Sequence, residues 1–98
     1  MIEVRKTPYF TKWFKSLKDR KAKARIQARI DRVEMGNFGD IAPVGEGISE
    51  LQIFYGPGYR VYFTQKHAVI VILLSGGAKG SQSADIVKAR EIAKQLEE

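Results

Sequence analysis

The sequence predicts an α+β domain of order β-α-α-β-β-β-α, an antiparallel sheet with its helices packed on one side. Three observations predict it. Apolar residues recur at helical spacing between residues 8 and 35, alternate at strand spacing between residues 50 and 64, and return to helical spacing after residue 81. A chain of 98 residues that is 44% hydrophobic fills one modest core, so residues 1–98 read as a single domain.

Residues 2–6 read as a short strand, and Thr7-Pro8 as a helix start, since Thr caps and Pro suits the first helical position. Phe10, Trp13, Phe14 and Leu17 then form one apolar stripe, with Lys12, Lys15 and Lys18 facing elsewhere. A second helix from about Asp19 to Met35 puts Ala22, Ile26, Ile30 and Val33 on one face and basic residues around the rest. Residues 36–47, with four glycines and Pro43, read as a loop. Glu50 to Tyr55 and Tyr59 to Thr64 alternate as half-buried strands joined by Gly56-Pro57-Gly58. Pairing Tyr55 with Tyr59 would set residue 54 opposite 60, 52 opposite 62 and 50 opposite 64. Val69 to Leu74 is apolar without alternation, as a central strand covered on both faces would be, and Gly76-Gly77 reads as its end. Ser81 is placed to cap a last helix with Asp85 in its first turn and Ile86, Ala89, Ala93 and Leu96 as its buried stripe.

Charge narrows the function. The net charge is +6, and eleven basic residues between Arg5 and Arg32 face only Asp19 and Asp31. A helical hairpin so charged attracts polyanions through counterion release, and Lys18, Arg20, Lys21 and Lys23 are its candidate RNA phosphate contacts. The plain alternative is a solvated basic face. With no cysteine there is neither a disulfide framework nor a thiolate metal site, and one isolated histidine with scattered acids builds no metal centre. The first residues lack the apolar segment of a signal peptide and the longest apolar run is too short to span a bilayer, so a cytoplasmic location without membrane attachment is expected.

The run Glu50-Leu51-Gln52-Ile53-Phe54-Tyr55-Gly56-Pro57-Gly58-Tyr59-Arg60-Val61-Tyr62-Phe63 is followed by Leu73-Leu74-Ser75-Gly76-Gly77-Ala78-Lys79-Gly80-Ser81-Gln82 and Asp85-Ile86. Together these segments resemble the addiction-module killer family, the HigB-like branch of the RelE/ParE toxins, and the likeness covers nearly the whole chain. It implies a type II toxin that cleaves mRNA on the ribosome without a cofactor. It also implies neutralisation by a HigA-like helix-turn-helix antitoxin, through which alone the toxin would reach operator DNA.

RNA cleavage without a metal needs an activated 2′-OH, a stabilised phosphate and help for the leaving oxygen. Arg60, a guanidinium on a strand at the Tyr-Arg position of the family's key arginine, is the candidate for the phosphate. Its plain reading is an ion pair with Glu50, two cross-strand positions away. Lys79, between the glycine pair and a helix start, is the second catalytic candidate, and an exposed loop lysine otherwise. Glu50 shares the polar face and is the candidate general base. Phe54 and Tyr62 on that face are candidates to stack on RNA bases, or else pack under the residue 36–47 loop or the last helix. Gln52 joins the RNA-contacting set, although members of the family that the chain resembles commonly carry arginine there and an acid at the position of Ala78. The tyrosine of the last RelE segment has no counterpart after Tyr62. His67 reads as an exposed turn residue. Two other classes stay open: a ParE-like gyrase inhibitor acting by binding, and an inactive antitoxin-binding domain.

Overall fold

The computed structural model describes residues 1–97. Their order is β1 (Glu3–Lys6), α1 (Pro8–Ser16), α2 (Arg20–Glu34), β2 (Ile41–Gly45), β3 (Ile48–Ile53), β4 (Tyr59–Lys66), β5 (Ile70–Ala78) and α3 (Gln82–Glu97), with a 3₁₀ turn at Lys79–Ser81. The five strands form one sheet in the order β1-β5-β4-β3-β2. Every pairing is antiparallel except that of β1 with β5. The sheet is therefore mixed rather than wholly antiparallel as expected. Among the described residues no helix is long and apolar enough to cross a membrane.

The expectation of helices on one side also fails. The helical hairpin covers one face, where Phe10, Ile26, Ile30 and Val33 pack on Leu51, Ile53, Val61, Phe63, Val71 and Leu73. On the opposite face Ala89 and Ile92 of α3 pack on Ile48, Tyr62, Ile72 and Leu74. The reason is legible in β5, whose apolar run supplies Val71 and Leu73 to one core and Ile72 and Leu74 to the other. A strand apolar on both faces requires cover on both.

Both first helices start and end close to where their caps place them. Thr7 Oγ1 accepts from Phe10 N at 3.2 Å and also donates to Leu74 O at 2.8 Å, so one hydroxyl caps α1 and fixes it to β5. Asp19 Oδ1 accepts from Lys21 N at 2.9 Å and Ala22 N at 3.2 Å. Removing such a cap costs about 1 kcal/mol.

Four local expectations need correction. The 36–47 segment contains strand β2, an edge strand carrying Pro43 and a bulge, both of which an edge position tolerates. Its hairpin to β3 turns through Glu46 and Gly47, both with positive φ (56° and 78°), as a tight two-residue turn requires. In the β3–β4 hairpin, Gly58 N donates to Tyr55 O at 3.0 Å, closing a turn in which Gly56 and Gly58 both have positive φ. Tyr55 is thus inside the turn, and the last pair is Ile53 with Tyr59. The register moves by two residues, placing Gln52 opposite Arg60 and Glu50 opposite Tyr62. Because the shift is even, the polar residues keep their common face. Gly76-Gly77 lies inside β5 rather than ending it. A Cβ on Gly76 would stand 2.3 Å from the Trp13 ring, and one on Gly77 would stand 1.8 Å from Asp85 Oδ2. The pair therefore exists for close approach from both faces. Finally, α3 buries Ile92 where Leu96 was expected, and Leu96 is 41% exposed.

Candidate functional site

The shifted register makes Arg60 and Glu50 diagonal neighbours, and their side chains meet. Glu50 Oε2 accepts from Arg60 Nε at 3.1 Å and from Gln52 Nε2 at 2.9 Å. Its other oxygen, Oε1, accepts from Gln82 Nε2 at 3.1 Å, reaching across from the first turn of α3. The Glu50 side chain is 2% exposed and that of Arg60 is 15%. The ion pair considered from the sequence therefore exists, and it is covered rather than on an open face. Arg60 Nη1 is buried without a hydrogen-bond partner among the described residues.

Arg60 also lines a groove of about 360 Å³ together with Gln52, Phe54, Lys79 and the turn from Tyr55 to Tyr59. Lys79 arrives because its N–H donates to Gly58 O at 2.8 Å, tying the end of β5 to the β3–β4 turn. The glycine pair lets β5 run that far between Trp13 and Asp85. Thus Arg60, Lys79, Gln52 and Phe54 converge. Phe54 has left the strand and is 76% exposed at the rim.

Tyr62 does not join them. It is 0% exposed, packed under α3 with Leu74 and Ile92, which settles its alternatives in favour of packing and removes it as a base-stacking platform. Burial, with Glu50 and Asp85 nearby, pushes its hydroxyl up to about 12, against the opposing effect of Arg60. His67 is exposed in the β4–β5 turn, at the opposite end of β4 from Arg60. Among the described residues no cluster of three histidine or acidic side chains is placed to hold a metal.

The basic hairpin lies beside the groove. Lys18, Arg20 and Lys21 are exposed, while Lys23 is half-buried with its Nζ 5.8 Å from the centre of the Phe14 ring. None of these four lines the groove. Arg25 of α2 does not line the groove either, but its guanidinium lies 4.7 Å from the centre of the ring of Tyr55, which does. Burial raises the Tyr55 hydroxyl above its ordinary value, and the nearby Asp19 adds to it. Arg29 is structural: its guanidinium donates to Phe38 O at 2.8 Å and Asp40 O at 3.1 Å, and also to Gln52 O. Burial lowers its affinity for the proton, which Asp40 partly offsets. Among the described residues, salt bridges join Arg5 to Glu3, Arg60 to Glu50 and Arg90 to Glu46, and none involves α2. Its positive field is therefore uncompensated by direct pairing. Gln82, Tyr55 and Arg25 were not singled out from the sequence. Gln82 stood inside the motif run, but its reach to Glu50 depends on α3 crossing the second face.

No protein-family model and no solved structure matches the chain. It is 48% identical over 95 residues to an uncharacterized protein of Haemophilus influenzae, a match covering 97% of this chain and 96% of that protein. The chain belongs to the family of that protein. The match runs nearly the full length of both proteins.

Proposed function

We propose that the protein is a type II toxin that cleaves mRNA, acting on the ribosome and neutralised by a helix-turn-helix antitoxin. The observation that carries this reading is the posture of Arg60. A carboxylate with three donors fixes the guanidinium by its Nε, while the same side chain lines a groove that also receives Lys79. An arginine that only balanced Glu50 would need no such groove, whereas one that stabilises a phosphate needs a rigid mount and a second cation.

In the reaction, the 2′-hydroxyl of RNA passes its proton to water as its oxygen attacks the adjacent phosphorus, and the bond to the 5′-oxygen breaks, giving a 2′,3′-cyclic phosphate and a 5′-hydroxyl that takes its proton from water. Negative charge grows on the phosphate oxygens, where Arg60 supplies fixed donors and Lys79 supplies an ammonium beside the departing oxygen. Glu50, with both oxygens engaged, acts as the group that orients Arg60 rather than as the base. Gln52 lines the same groove, donates to Glu50 and steadies the same mount.

Single-turnover cleavage of mRNA on programmed ribosomes tests the reading. Arg60→Ala should lower the rate roughly 10²-fold or more while weakening binding far less, and Arg60→Lys should not restore it fully. If the wild type cuts no RNA yet blocks supercoiling by DNA gyrase, and Arg60→Ala blocks it equally well, a ParE-like inhibitor replaces the nuclease.

A further inference from the structure

Phe54 stands between two cavities. On one side is the groove with Arg60 and Lys79; on the other is a slot of about 160 Å³ walled by Arg25, Ala28, Arg29 and Arg32 of α2 and by Ile53, Phe54 and Tyr55. The three strand-end residues Ile53, Phe54 and Tyr55 line both cavities.

The walls of the slot are unequal in a way that specifies an occupant. Phe54, 76% exposed, offers a bare aromatic face. Tyr55 already carries the Arg25 guanidinium on its ring, which holds that cation at the mouth. Arg25 and Arg32 are exposed and form no salt bridge among the described residues, whereas Arg29 is spent on backbone carbonyls. An aromatic plane flanked by unpaired guanidinium groups is the arrangement that grips single-stranded nucleic acid, the ring stacking on a base and the cations meeting the phosphates beside it. An acidic peptide would use the cations but leave the Phe54 face without a partner.

We infer that this slot is a subsite for one unstacked base of single-stranded RNA, next to the nucleotide whose phosphate lies against Arg60. The inference rests on the nuclease reading for the position of the cleaved phosphate. Phe54 is then the divider over which the strand passes, with the base beyond it stacked on the ring. Arg32 and Arg25 take the phosphate that follows. This orients the strand along α2, towards Lys21, which lines the next depression on that helix with Arg25. It also gives the uncleaved side of the substrate a fixed register.

The test uses short single-stranded RNAs blocked against cleavage by a 2′-deoxy sugar at the scissile position, in which one flanking nucleotide at a time is made abasic. Removing the base at one position should weaken binding to the wild type about tenfold or more, and removal elsewhere should do little. Phe54→Ala and Phe54→Leu should bind the intact RNA as weakly as the wild type binds that abasic RNA, and should be indifferent to the same abasic site. Arg32→Gln should weaken all the RNAs alike and flatten the salt dependence. Equal losses in wild type and Phe54→Ala at every position, or an unchanged affinity in Phe54→Ala, overturn the subsite, as does a failure to bind these RNAs at all. A coupled abasic position in a protein that never cuts would leave the subsite standing and remove the nuclease. Efficient cutting with no coupled position would do the reverse.

Discussion

Substituting Glu50 tests whether Arg60 is mounted or merely nearby. Glu50 is 2% exposed and accepts from Gln52, Arg60 and Gln82, so Glu50→Ala leaves a guanidinium that is 15% exposed without its counter-charge and two amide groups without their acceptor. Removing one partner of a covered ion pair costs about 3–5 kcal/mol. In a domain of this size each kcal/mol is worth about 4–8 °C, so the melting midpoint should fall by roughly 12 °C or more. Arg60→Ala should cost a similar amount, because the carboxylate is then the unpaired group. The double variant should cost less than the sum of the two, by about 0.5–3 kcal/mol. Urea unfolding of the wild type and the three variants gives all four values, read at constant m. Cleavage in Glu50→Ala should fall with RNA affinity nearly kept, since its effect passes through Arg60. Single substitutions within about 0.5 kcal/mol of the wild type, and additive, would mean that the pair does not fix the guanidinium and that the argument for a rigid mount is wrong.

Tyr62 gives a pH prediction. Its hydroxyl is raised in the fold to about 12 from an unfolded value near 10, so its contribution to stability is complete below pH about 10 and is lost as pH climbs towards 12. Unfolding at graded pH should show a larger loss in the wild type than in Tyr62→Phe, where the raised Tyr55 hydroxyl still contributes. Because the hydroxyl is buried with no hydrogen-bond partner among the described residues, Tyr62→Phe should be neutral or stabilising by about 1 kcal/mol at pH 7, and a clear loss would mean the hydroxyl is satisfied. Gly76→Ala drives a methyl into Trp13, which is wedged against Phe10 and Tyr59, and should cost about 1–3 kcal/mol with a shifted tryptophan emission. Gly77→Ala meets the end of the Asp85 side chain, which can swing away, and should cost less in the same unfolding assay. Neutralising Lys21 and Arg25 together should lower the slope of log K against log salt for RNA or ribosome binding by about 2 at most. Induced expression should arrest bacterial growth, and coexpression of a helix-turn-helix antitoxin should reverse it; undiminished growth at confirmed expression would count against the toxin reading.

Much of the fold was written locally. Thr7-Pro8 and Asp19 start helices because capping is a matter of a few adjacent residues, and the stripes Phe10 to Leu17 and Ala22 to Val33 follow from period alone. The residues that share the polar face of β3 and β4 were also legible, since alternation does not depend on register. Tertiary structure decided what local pattern cannot hold. Strand β2 was hidden by Pro43 and its glycines, which an edge position tolerates and a sequence pattern reads as loop. The hairpin register depended on whether Tyr55 sat in the strand or the turn, and that choice brought Glu50 to Arg60. The glycine pair reads as a strand end until Trp13 and Asp85 approach it from opposite faces. The second face of the sheet went to α3, which buried Tyr62 and carried Gln82 to Glu50. Caps, periods and charge are properties of neighbours in sequence; the mount of Arg60 joins β3, β4 and α3, and only packing brings these together.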